Sequence, residues 1–135
     1  MLDARSVGHI ASNQGQVATI RADRTAAEAA QVLSDRHVGC LIVVDEEGKI
    51  VGIVTERDLV RKTVAVSIDA TDLLVREVMT EKVISCDFQT PIPDAQEMMA
   101  AHGIRHLPVV HDGRAVGMIS SRDIIAHQMA ANRAM

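Results

Sequence analysis

Short aliphatic runs separated by polar turns recur along this chain, and the whole series occurs twice. LIVV (41–44) and IVGIV (50–54) are strand-length apolar runs, and the turn at Gly48 between them predicts an antiparallel hairpin. HLPVV (106–110) and AVGMI (115–119) repeat the pattern around Gly113. A helical pattern precedes each hairpin. Ala26, Ala29, Ala30 and Leu33 fall at i, i+3, i+4 and i+7, and Thr25 with Glu28 has the spacing of a capping box. In the second series Ile92, Ala95 and Met99 form the stripe, with Thr90 the expected cap and Pro91 the first helical residue. Residues 55–63 and 120–131 read as closing helices. Residues 64–72 (VAVSIDATD) connect the two series, and Asp72 is the expected cap of a short helix over 73–79.

The two series align residue by residue. GIVTERDL (52–59) lies over GMISSRDI (117–124), VGCLIVVD (38–45) over IRHLPVVH (104–111), and AEAAQVL (27–33) over PDAQEMM (93–99). The register slips by one residue at the turns, where insertions are tolerated. The leader SVGHIASNQGQVATI (6–20) has the look of LLVREVMTEKVISC (73–86), a short helix and then a strand. The predicted fold is α/β (an α+β arrangement with mixed sheets), built from two β-α-β-β-α repeats, each preceded by a helix. Residues 1–63 hold the N-terminal helix and the first repeat, 64–72 the link, and 73–135 the second helix and repeat. A single copy of about 60 residues is marginal by itself. Two copies packed sheet to sheet about a pseudo-two-fold, with two equivalent clefts, is the expected solution.

Composition narrows the function. The chain has 135 residues and a net charge of −4, with 24% charged and 47% hydrophobic residues. No run of Lys and Arg exceeds two residues, which argues against nucleic-acid binding through a basic surface. There is no Trp or Tyr and a single Phe, so stacking platforms for single strands are missing. The core must therefore be aliphatic, with Met98, Met99 and Met118 filling it. Cys40 and Cys86 sit in apolar runs and read as small buried hydrophobes. The leader lacks the apolar stretch of a signal peptide, and no apolar run approaches the roughly 18 residues of a spanning helix. A cytoplasmic protein without membrane attachment is expected.

The chemistry concentrates at one repeated motif. It reads Gly52-x-x-Thr55-x-x-Asp58 in the first copy and Gly117-x-x-Ser120-x-x-Asp123 in the second, where a strand gives way to a helix. A helix start suits a phosphate. The Thr55 or Ser120 hydroxyl can donate to a phosphate oxygen, and Arg57 and Arg122 add a cation. Asp58 and Asp123 can accept both hydroxyls of a ribose, and Gly52 and Gly117 would admit a ligand close to the backbone. The competing reading is a plain capping box, which has the same [ST]-x-x-[DE] spacing. A cap, however, requires neither the Gly nor the Arg.

The duplicated Gly-x-x-[Thr/Ser]-x-Arg-Asp motif after a hydrophobic hairpin, with VREVMT opening the second half, closely resembles tandem CBS (cystathionine-β-synthase) domain pairs. The resemblance spans about residues 6–130. It implies a non-catalytic regulatory module that binds adenosine ligands between the repeats: AMP, ADP, ATP, S-adenosylmethionine or NAD(H). By position, Asp58 and Asp123 would hold ribose, and Thr55, Arg57, Ser120 and Arg122 phosphate. The adenine pockets would be lined by Thr19, Ile20, Cys40 and Leu41, and by Ser85, Cys86, His106 and Pro108. Ile42 replaces the family's Pro in the first copy, so the two sites are expected to differ. The resemblance also implies a homodimer that acts as an energy or redox sensor on a separate protein. The alternative is a ligand-free dimerisation or interaction module. No catalytic set is visible, and the six His lack the spacing of a metal site. His37 and His102 are better explained as cations near helix ends.

Overall fold

The structure is a computed structural model that describes residues 4–133. The parts of the N-terminal and C-terminal expectations that fall on residues 1–3 and 134–135 lie outside the described residues. The elements run α1 (Val7–Ser12), β1 (Thr19–Arg21), α2 (Ala26–Arg36), β2 (Cys40–Val44), β3 (Ile50–Thr55), α3 (Glu56–Lys62), α4 (Val75–Val78), β4 (Cys86–Asp87), α5 (Ile92–His102), β5 (His106–His111), β6 (Arg114–Ser120) and α6 (Ser121–Arg133). Two short 3-10 turns, Val64–Val66 and Ala70–Asp72, occupy the link. The mixed α/β expectation holds: β1 pairs parallel to β2 and β2 antiparallel to β3, and β4, β5 and β6 repeat that order.

The compact units are drawn differently from the sequence repeats. One unit runs from Ala18 to Val83, and the other joins the residues up to Val17 to those from Ile84 onward. The leader helices are therefore exchanged. In the Ala18–Val83 unit, α4 lies with the first repeat: Val75 and Val78 are buried with Ile20, Ala26, Ala29, Leu33, Leu41, Val43, Val54 and Leu59. In the other unit, α1 supplies Val7, Ile10 and Ala11 to a core with Ile92, Ala95, Met99, Leu107, Val109, Ile119 and Ile124. The backbone holds these leaders in place. Val7 N–H donates to the Thr90 carbonyl and Gly8 N–H to that of Phe88, while Val75 N–H donates to the Arg24 carbonyl. A repeat on its own leaves a sheet and helix surface uncovered, and a short apolar helix closes it.

Local signals decide the helix ends. Thr25 caps α2 with the reciprocal box anticipated from the sequence. Ala26, Ala29 and Leu33 are buried, but Ala30 faces solvent. Thr90 does not cap α5. The carbonyl of Pro91 already accepts the Asp94 and Ala95 N–H groups, so Pro91 is the cap residue, and the Thr90 hydroxyl accepts the Asp87 N–H instead. Asp72 does not cap α4 either. Residues 73–74 run extended beside Thr25, which moves the helix start to Val75, and the Glu77 carboxylate accepts the Leu74 N–H at 2.8 Å. Two left-handed residues end α2 and α5: His37 (φ 54°) and Gly103 (φ 62°).

Candidate ligand sites at the strand-to-helix turns

Thr55 closes β3 and is the N-cap of α3. Its Oγ1 accepts the Asp58 N–H at 3.1 Å, and Asp58 Oδ2 accepts the Thr55 N–H at 3.0 Å and the Thr55 hydroxyl at 3.1 Å. The second copy repeats the arrangement. Asp123 Oδ2 accepts the Ser120 N–H at 2.8 Å, and the Asp123 N–H donates to Ser120 Oγ at 3.0 Å. The capping-box reading is therefore met at both motifs. The cap uses only one carboxylate oxygen. Among the described residues, Oδ1 of Asp58 and Oδ1 of Asp123 make no hydrogen bond to protein. Both Asp side chains are half-buried, whereas Arg57 and Arg122 are exposed and enter no ion pair among the described residues.

Across the sheet from each hydroxyl stands a different residue. Cys40 is the register partner of Thr55, and His106 that of Ser120. Both feel the motif carboxylate. Burial, and after it the charge of Asp58, pushes the Cys40 thiol up to about 12. Burial lowers the His106 imidazole pKa, Asp123 works against that by stabilising the cation, and Arg105 adds to the lowering. The side chains of Cys40, Thr55 and Asp58 thus gather at one strand end, and those of His106, Ser120 and Asp123 at the other.

Other pocket residues expected from the resemblance fall elsewhere. Neighbours along a strand point to opposite faces. Leu41 is fully buried in the core of its unit with Ile20, on the face away from Cys40 and Ile42. Cys86 joins the other core, and its thiol donates to the Pro108 carbonyl at 3.7 Å. Ile20, Leu41 and Cys86 are thus core side chains, because strand alternation commits them to the helix-covered face. Thr19 and Ser85 are exposed, Thr19 pairing with Ile42. Pro108 is fully buried on the face that also carries His106.

The motif glycines serve the chain itself. A Cβ on Gly52 would lie 2.6 Å from the Met79 sulfur and 2.9 Å from the Thr80 carbonyl oxygen. One on Gly117 would lie 2.8 Å from the Ala11 Cβ. Each glycine admits the leader segment packed on its own unit, which replaces the expectation that it admits a ligand. The sequence signal was present in the match between residues 6–20 and 73–86, but nothing in it tells which sheet a leader covers.

The family model for the CBS domain matches residues 7–65 and 75–130. The CBS domain-containing protein YhcV of Bacillus subtilis is 36% identical over 115 residues, 85% of this chain and 81% of the relative. An uncharacterized protein of Methanopyrus kandleri is 33% identical over 89% of this chain, which spans 61% of that relative's length. Among solved structures, the CBS-domain containing protein ATU1752 from Agrobacterium tumefaciens superposes with a TM-score of 0.82 at 31% identity, covering 91% of this chain and 98% of the other. The CBS domain pair of protein MJ0100, solved in complex with 5′-methylthioadenosine and S-adenosyl-L-methionine, gives 0.81 at 30% identity, covering 93% and 97%. With both repeats matched and the fold shared along nearly its whole length, this chain belongs to the CBS domain family and carries a pair of CBS repeats.

Proposed function

We propose that this CBS pair is a non-catalytic regulatory module that binds adenosine nucleotides, AMP, ADP, ATP or NAD(H), at its two strand-to-helix turns. One observation carries the reading. The same hydroxyl, arginine and carboxylate occur at both turns, and each carboxylate keeps one oxygen unused by its cap. Asp58 and Asp123 then hold ribose through that oxygen, and Thr55, Arg57, Ser120 and Arg122 meet phosphate. Thr19 and Cys40 in one copy, and Ser85, His106 and Pro108 in the other, are the lining residues left once the side chains on the helix-covered faces are set aside. The adenosine ligands of the MJ0100 pair support the ligand class. Bound nucleotide acts as the signal of an energy or redox sensor, and by linkage any partner that prefers the bound state tightens nucleotide binding in return.

The assembly proposed is a homodimer. Val60 and Ile125, each five residues after the motif hydroxyl, are 56% and 55% exposed. Val64 and Met129, four residues further on, are exposed as well. An apolar patch that occurs once per repeat is matched by a second copy of the same chain. That patch, together with the satisfied capping boxes, also favours a rival reading: a ligand-free module whose role is assembly.

Thermal unfolding with AMP, ADP, ATP, NAD⁺, NADH and S-adenosylmethionine, each at millimolar concentration, separates the two readings. Ligand at 100 times its dissociation constant adds about 2.7 kcal/mol, or a rise of roughly 5–10 °C for a domain of this size. A rise with one or two of these compounds supports the sensor. No rise with any leaves the assembly module.

A further inference from the structure

The two proposed sites share their hydroxyl, cation and carboxylate but differ in the residue paired across the sheet. Cys40 stands opposite Thr55, and His106 opposite Ser120. Cys40 is almost completely buried, and its thiol stays protonated through the physiological range. His106 is half-buried, so its imidazole borders both protein and solvent. Two charges act on it, Asp123 from α6 and Arg105 from the residue before β5, and they pull in opposite directions. Ser120, its register partner on β6, is uncharged, and its Oγ accepts the Asp123 N–H.

We infer that His106 makes adenosine binding at the Ser120–Asp123 site sensitive to protons, whereas the Thr55–Asp58 site, with Cys40 in the same place, is insensitive to them. The inference deepens the adenosine-binding reading and rests on it. An uncharged adenosine laid against the start of β5 strips water from the imidazole. Losing water costs the imidazolium far more than neutral imidazole, so the ligand selects neutral His106, and protons compete with it. Burial already lowers this group below its ordinary value of 6.5. Affinity is therefore complete at neutral pH and falls as the pH drops through the lowered imidazole value. At Cys40 nothing titrates over that span.

Calorimetric titration with 5′-methylthioadenosine, which carries no ionised phosphate, tests this. Asp58→Ala leaves the His106 site alone, and Asp123→Ala leaves the Cys40 site alone. From pH 7.5 to 5.5 the Asp58→Ala protein loses roughly two- to fivefold in affinity, the Asp123→Ala protein holds constant, and adding His106→Gln to Asp58→Ala flattens the dependence. The unmutated chain provides a check free of folding defects: 5′-methylthioadenosine shifts the NMR titration of the His106 ring to lower pH. Equal pH dependence at both sites, dependence that survives His106→Gln, or a ring titration that ligand leaves unmoved or raises would overturn the inference. Failure of 5′-methylthioadenosine to bind the unmutated chain at pH 7.5 while AMP binds would also overturn the inference; failure of both is a different result and overturns the adenosine reading itself.

Discussion

Gly52 and Met79 are in contact so close that no side chain fits between them: a Cβ at 52 would sit 2.6 Å from the Met79 sulfur. The methionine could swing aside, but the Thr80 carbonyl at 2.9 Å belongs to backbone that Ile53 holds by two hydrogen bonds. Gly52→Ala must then push the segment 79–80 off the sheet edge. It is expected to destabilise the protein by about 1–3 kcal/mol, the usual cost of overpacking. Denaturant unfolding of Gly52→Ala and Gly117→Ala checks this. Stability equal to the parent would mean that the glycines are not required by the leaders.

Leu41 tests the assignment of side chains to faces. As a fully buried core residue, it should cost about 2–5 kcal/mol on truncation to Ala. Affinity for adenosine ligands, measured where the variant is still folded, should change less than twofold. A large affinity loss with little loss of stability would return Leu41 to the pocket.

The two thiols should be inert in the folded protein. Burial raises Cys40 to about 12 and Cys86 to about 11, and the thiolate is the reactive form. At pH 8 a thiol-disulfide reagent should label neither quickly, and both at once on denaturation. Rapid labelling of either native thiol would contradict their burial.

Dimerisation through the repeated patch predicts that Val60→Glu and Ile125→Glu each weaken self-association, because each puts a charge into an apolar contact. Light scattering after size-exclusion chromatography should show the parent at twice the chain mass and the double variant at the chain mass. A parent that runs as a monomer, or a double variant that still dimerises, would remove this face from the assembly.

Much of the fold was legible in the sequence because its signals are local. The Thr25–Glu28 box, the turns at Gly48 and Gly113, and the two hairpins depend on neighbouring residues, and each stands where periodicity put it. The motif pairs Thr55–Asp58 and Ser120–Asp123 were legible for the same reason. Apart from the start of α5, which turns on the residue next to Thr90, the misjudged features depend on distant chain. Thr90 and Asp72 have capping chemistry, but Pro91 and the extended stretch beside Thr25 fix the helix starts. Repetition marked α1 and α4 as equivalent, yet it carries no information about which sheet each one covers. Leu41, Ile20 and Cys86 were placed in the pocket by family position, and only the strand register shows that they point into the cores. The equivalence of Cys40 and His106 emerges from that register too.

Whether the two carboxylates hold ribose or only cap their helices is the central question, and isothermal titration of the parent, Asp58→Ala and Asp123→Ala with the nucleotide that gives the largest thermal shift answers it. The parent should titrate two sites. Each variant should weaken one site about 10- to 100-fold, the equivalent of roughly 1.5–3 kcal/mol for hydrogen bonds to a charged group, and leave the other unchanged. Variants that lose about 1 kcal/mol of stability, as expected for a lost cap, yet bind nucleotide like the parent would contradict the account.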